Sequence, residues 1–279
     1  MKTLILSGFG TNCERETEYA CSAAGGKAVE IRHISEIYTH GIDPGGYGFL
    51  VLIGGFMDGD DLGGGRACAN RFRHRAIPAP LGGGTFLERL HRFIDDGRPV
   101  LGICNGFQVL VKCGLLPGPL PGLLGLGEAG ADSAQPVTIT TNADGRFEDR
   151  WVHLRADPRS PCVFTQGMEH IELPVRHGEG RLLGADEALA PRLVERHLAP
   201  LRYSLEDGTP TEQYPANPNG STLGIAALCN ARGTVMGLMP HPEAFNHFTN
   251  HPLWTRRPRN GEDGDGLQIF RNAYAYLGR

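Results

Sequence analysis

The chain has 279 residues, 40% hydrophobic and 21% charged, an ordinary globular composition long enough for one large α/β domain or two small ones. A formal net charge of −4 gives no basic footprint, so neither nucleic acid nor a membrane is expected as a partner. Seven cysteines, odd in number and without a C-x-x-C pair, make neither a disulfide framework nor a zinc site by spacing. The apolar start "MKTLILSGFG" ends too soon for a signal peptide, and no later run reaches the roughly 18 apolar residues of a membrane span, so a cytoplasmic location is expected.

"KTLILSGFG" reads as a buried strand entering a glycine turn. Thr11 then opens a capping-box spacing with Glu14, predicting a helix to about Ala24 that Gly25 and Gly26 stop. "KAVEIRHI" predicts a second strand, and "GYGFLVLIGGF" a third that ends at Gly54 and Gly55. A glycine-rich loop with basic residues follows. "TFLERLHRFIDDG" places Phe86, Leu87, Leu90, Phe93 and Ile94 at helical spacing. "RPVLGIC" is then a strand and "NGFQVLVKCGLL" a helix closed by glycine and proline. Strands alternating with helices predict an α/β fold, a mostly parallel twisted sheet with helices on both faces. Ligands in such folds sit at the carboxyl ends of strands, where Gly55 and Cys104 both fall.

From about residue 135 the pattern changes to strand-like pieces: "QPVTITTN", "WVHLR", "PCVFT", "IELPVRHGEGRLL", "TLGIAALCN" and "GTVMGLMPHPEAF". A polar, proline-punctuated stretch at about 184–213, with a short helical pattern in "DEALAPRLVERHL", is expected to be an insertion. No boundary divides the chain, and residues 1–279 are expected to form a single domain.

The stretch "VLGICNGFQVL" sets Gly102 and Gly106 two residues either side of Cys104, the G-x-C-x-G spacing of a nucleophile elbow. A buried structural cysteine needs no flanking glycines. An elbow puts the thiol at a helix N-terminus, which favours thiolate, and directs the Asn105 N–H at an oxyanion. "GLMPHPEAF" offers a base, His241, held between Pro240 and Pro242, with the Glu243 carboxylate two residues on to orient it. A second oxyanion donor is expected from "LIGGFMDGDD", at the N–H of Gly55 or Phe56.

G-I-C-N-G-F-Q with a later P-H-P-E resembles the class I (triad) glutamine amidotransferases, and within them the glutaminase subunits of phosphoribosylformylglycinamidine synthase. Similar segments run almost end to end: "GTNCERE" (10–16), "GGFMDGDDLGGG" (54–65), "CNGFQVLVKCGLLPG" (104–118), "RHGEGR" (176–181), "YPANPNGS" (214–221) and "GEDGDGLQIFRNA" (261–273). The resemblance implies Cys104 as nucleophile, His241 as acid–base and Glu243 as its orienting carboxylate. It implies oxyanion N–H groups at Gly55 and Asn105, and glutamine binding by Phe56, Gln108, His177 and Glu179. Asp60 and the glycines after it are implied to face a synthetase.

The resemblance further implies no metal and no cofactor on this chain, with ATP and magnesium on the partner synthetase subunit and a small third subunit in the complex. The lack of a P-loop pattern fits that division. Two departures stand out: Met57 replaces the family's usual serine, with glycines and "RACANRFRHR" after it, expected to alter the pocket rim or docking surface; and the insertion near 184–213 sets Cys104 and His241 137 positions apart, longer than a minimal glutaminase needs. An amidotransferase serving another acceptor, a free-standing cysteine amidase and a redox-sensing module are the alternative readings.

Overall fold

A computed structural model describes residues 1–119, 135–257 and 261–278. In the first half, β1 (Lys2–Ser7), α1 (Glu14–Ala23), β2 (Ala28–His33), α2 (Glu36–Thr39), β3 (Phe49–Leu52), α3 (Arg66–His74), α4 (Phe86–Asp95), β4 (Val100–Ile103) and α5 (Asn105–Lys112) follow one another. The second half supplies β5 (Val137–Thr140), β6 (Glu148–Ala156), β7 (His170–His177), β8 (Arg181–Gly184), α6 (Leu189–Glu195), β9 (Leu201–Ser204), β10 (Ala227–Cys229), β11 (Val235–Leu238) and α7 (Gly266–Leu277).

The central sheet has the order β10-β11-β4-β3-β1-β2, parallel except for β10 at one edge. Its inner strands β3, β4 and β11 are buried along their whole length, which explains their continuous apolar runs. α1 packs with α7, and α3 with α4 and α5, so the sheet carries helices on both faces. Register decides where the chemistry falls. Leu52 pairs with Gly102, and Ile103 with Leu238, so the segments leaving β3, β4 and β11 emerge side by side. Two antiparallel sheets, β5-β8 and β7-β6-β9, complete the described residues.

Thr11 does not cap α1: the helix starts at Glu14 with Cys13 at its N-cap, and the Thr11 hydroxyl bonds Gly8 and Glu14 within the preceding turn. "PCVFT" is not a strand. Val163–Thr165 is a 3-10 turn, because Phe164 is fully buried against Phe49, with ring centroids 6.1 Å apart. The basic stretch after the glycines is helix α3, which buries Cys68, Ala69 and Phe72 and ties Arg71 to Asp58 at 2.6 Å. The segment around 184–213 is built into the fold: α6 and β9 bury Leu189, Leu193, Leu201 and Tyr203, and β9 pairs with β6.

Candidate active site

Cys104 stands between β4 and α5 with φ 49° and ψ −105°, a strained conformation for an L-residue that costs about 1–3 kcal/mol. The flanking glycines permit it by close approach. A Cβ on Gly106 would lie 2.0 Å from the Leu52 carbonyl oxygen, and one on Gly102 would lie 2.8 Å from the Gly106 carbonyl. Any side chain at either place would push α5 off the sheet. The Cys104 N–H donates to Leu238 O at 2.8 Å, seating the elbow against the end of β11.

The chain turns two residues past β11, and the His241 N–H donates to Pro174 O at 2.8 Å. His241 Nδ1 and Glu243 Oε1 are 2.5 Å apart, both residues buried, with Glu243 in a 3-10 turn begun by Pro242. Burial opposes charge on this imidazole, but the Glu243 carboxylate and then the Cys104 sulfur outweigh it and hold the pKa well above the ordinary histidine range. His241 Nε2 has no hydrogen-bond partner among the described residues. Cys104 and His241 line one cavity of about 120 Å³, together with Gly55, Phe56, Gln108, His177 and Glu179. Glu243 stands behind the histidine.

Hydrogen bonds sort the backbone donors beside Cys104. The Phe56 N–H is taken by Gly10 O at 2.8 Å and the Met57 N–H by Asn105 Oδ1 at 3.1 Å. Among the described residues the Gly55 N–H and the Asn105 N–H have no acceptor, so of the two donors expected in the loop, Gly55 is the free one. The Phe56 side chain is half exposed at the cavity. Met57 is buried beside Gly8, away from the cavity rim where its substitution was expected to act. Asp60, expected at an interface, lines the cavity; burial and the nearby Glu179 raise its carboxyl pKa.

Gln108 also lines the cavity, with both polar ends held by the protein. Asn105 Nδ2 donates to its Oε1 at 2.8 Å, and its Nε2 donates to Glu179 O at 2.7 Å. The Glu179 carboxylate accepts the Gly64 N–H at 2.7 Å. One chain of bonds therefore ties the 55–64 loop, α5 and the 177–180 loop together. His177 is buried with Nδ1 3.2 Å from Asn142 Oδ1 and Nε2 3.5 Å from Asn219 Nδ2, which assigns the proton to Nδ1. Burial, and secondarily the nearby His241, pulls its pKa down to about 3, so it is neutral.

Asn142 and Asn219 were not singled out from the sequence; neither has a spacing signal, although Asn219 lies in the quoted "YPANPNGS". Asn219 also bonds Tyr203 and Ser221, joining that stretch to the "RHGEGR" loop. Cys13 was missed too. It lines the cavity with Sγ 3.9 Å from His241 Nδ1, and burial raises its pKa, which keeps it a thiol and not a competing thiolate. No helix among the described residues is long and apolar enough to cross a membrane.

Residues 1–277 match the CobB/CobQ-like glutamine amidotransferase domain. The chain is 42% identical to phosphoribosylformylglycinamidine synthase subunit PurQ of Dehalococcoides mccartyi, over 98% of this chain and 96% of the relative. It is 35% identical to a PurQ subunit of Methanococcus maripaludis, over 100% of this chain and 98% of the relative. Among solved structures, that of PurLQS from Thermotoga maritima superposes with a TM-score of 0.66 at 25% identity, covering 99% of this chain and 98% of that one. A full-length match to the domain and to relatives of this identity leads to one statement: the chain belongs to the CobB/CobQ-like glutamine amidotransferase family.

Proposed function

We propose that this chain is the glutaminase subunit of a phosphoribosylformylglycinamidine synthase, releasing ammonia from glutamine for a partner that converts formylglycinamide ribonucleotide to formylglycinamidine ribonucleotide. The observation that carries the chemistry is the meeting of a strained elbow cysteine, a carboxylate-held histidine, and His241 Nε2, Gly55 N–H and Asn105 N–H groups that are unpaired among the described residues. The purine pathway rests on the PurQ relatives and on the PurLQS neighbour.

Cys104 Sγ attacks the side-chain carbonyl carbon of glutamine, and the Gly55 and Asn105 N–H groups stabilise the oxyanion. Glu243 holds the Nδ1 proton and so aims Nε2 at the reacting groups. His241, kept cationic by its carboxylate, gives a proton to the leaving ammonia. It then takes one from the water that cleaves the glutamyl thioester, and glutamate leaves. Phe56, Gln108, Glu179 and neutral His177 shape the wall that receives the amino-acid end of glutamine. ATP and magnesium act on the synthetase subunit, a small third subunit completes the complex, and the assembly works in the cytoplasm.

The test is glutamate release by the purified chain, alone and with its synthetase, ATP and formylglycinamide ribonucleotide. Strong stimulation by the loaded partner is expected. Equal turnover without the partner would instead make the chain an independent amidase, and no turnover in either case would sink the reading.

A further inference from the structure

Cys13 has no part in the acyl transfer, yet its thiol lies inside the same site. One donor atom each from Cys13, His241 and Glu243 falls within a set of points 4.8 Å across. Two further features mark the place. Glu243 Oε2 is buried without a hydrogen-bond partner among the described residues. Gly54 lets these groups come together: a Cβ there would meet His241 Cε1 at 2.9 Å, Cys104 Cβ at 3.4 Å and Cys13 Sγ at 3.5 Å, so any side chain at 54 would crowd the imidazole against the thiols.

We propose that Cys13, His241 and Glu243 form an inhibitory site for zinc(II) or a divalent metal of similar softness. A thiolate, an imidazole nitrogen and a carboxylate oxygen suit zinc, whereas magnesium and calcium take all-oxygen sets. Bonds of about 2.3 Å to sulfur and about 2.0–2.1 Å to nitrogen bridge the 3.9 Å between Cys13 Sγ and His241 Nδ1 with a bent angle. Glu243 Oε1, 2.5 Å from Nδ1, draws back by about an ångström to reach a tetrahedral position.

The bookkeeping of protons gives the inhibition. Zinc displaces the Cys13 S–H proton and the Nδ1 proton, which pass to solvent, and takes the electron pairs they leave. The imidazole is then neutral, with its one remaining proton on Nε2. It can no longer accept a proton there, nor keep the hydrogen bond that orients it on Glu243. The inhibitory consequence rests on the glutaminase reading; metal binding itself does not.

Cobalt(II) is the probe, because a cobalt–thiolate bond absorbs in the near ultraviolet. The full chain, Cys104→Ala and Cys13→Ser are titrated with cobalt and then back-titrated with zinc, each variant's thermal midpoint confirming that it is folded. Cys104→Ala is expected to keep the band, and Cys13→Ser to lose it or to bind about tenfold or more weakly. In the assembled synthase, zinc should inhibit glutamate release reversibly with chelator, with an inhibition constant raised by a similar factor in Cys13→Ser or Cys13→Ala, each measured against its own metal-free rate. Unchanged cobalt binding by Cys13→Ser overturns the proposal. So does a band lost in Cys104→Ala and kept in Cys13→Ser, which would put the metal on the nucleophile.

Discussion

Asn105→Leu removes the side chain that joins three parts of the site while leaving its backbone N–H in place. The Asn105 side-chain oxygen Oδ1 accepts the Met57 N–H at 3.1 Å, and Nδ2 donates to Gln108 Oε1 at 2.8 Å, with the residue fully buried. Leucine does neither, so two buried groups lose their partners at about 1–3 kcal/mol each. That is a large part of a domain's typical stability of about 5–15 kcal/mol, yet it leaves a folded protein in most of that range. The catalytic effect follows from the freed Met57 N–H, which no longer fixes the 56–57 peptide, two peptides along from the Gly55 donor, and leaves the Phe56 N–H bond to Gly10 as the remaining anchor of this loop. Complete loss of one oxyanion donor costs about 10²–10³ in kcat, so misplacing it should cost roughly tenfold or more. The assay pairs kcat and KM for glutamate release in the complex with the rate of Cys104 alkylation by iodoacetamide, which needs the thiol and not the oxyanion site. Alkylation should hold while kcat falls, and Asn105→Asp, which keeps an acceptor for Met57, should recover part of the loss. Wild-type kcat in Asn105→Leu, or kcat and alkylation falling together, would refute the reasoning.

Cys104→Ala should abolish glutamine-dependent synthesis by the complex while ammonia-dependent synthesis survives; loss of both, measured as formylglycinamidine ribonucleotide formed, would break the proposed division of labour. Gly106→Ala forces a methyl to 2.0 Å from the Leu52 carbonyl oxygen, an overpacking of about 1–3 kcal/mol. At about 2–4 °C per kcal/mol for a chain of roughly this size, the thermal midpoint should fall measurably, and an unchanged midpoint would contradict the close approach. His177 is neutral when folded and free to protonate when unfolded, so the unfolded state binds more protons once pH drops below the ordinary histidine value. Its contribution is therefore lost as pH falls from about 6.5 towards its folded value of about 3, by ~1.4 kcal/mol per unit. His177→Gln should flatten that acid limb in stability-against-pH curves, and an identical limb would place the sensitivity elsewhere.

The parallel half of the fold was legible because burial on both faces leaves a simple trace. "FLVL" and "VLGI" are apolar throughout, and β3 and β4 are buried throughout. α3 was not legible, since its buried face is made of Cys68, Ala69 and Phe72, too small and too short a stripe beside a run of glycines and arginines. "PCVFT" misled for the opposite reason. Its residues favour strands locally, but burying Phe164 against Phe49 places the segment in a tight turn.

Within the site, the legible residues are those whose local backbone has to be special. Cys104 takes a positive φ and needs Gly102 and Gly106 around it; His241 and Glu243 sit two residues apart in a proline-bracketed turn, so each motif is written in a few consecutive letters. What brings the motifs together is written nowhere locally. Cys104 and His241 meet because Gly102 pairs with Gly237 and Ile103 with Leu238, a register that no alternation within either strand announces, since both are buried throughout. The polar groups that hold the walls obey no period at all. Asn142 and Asn219 grip His177 from loops 35 and 42 positions away, and Cys13 reaches His241 across 228. A side chain recruited by a neighbour brought close only through the sheet has no reason to mark its own stretch of sequence. The thiol, imidazole and carboxylate that the structure brings together were therefore nameable from their motifs, whereas their support, and the second thiol beside the histidine, became visible only once the strands were paired.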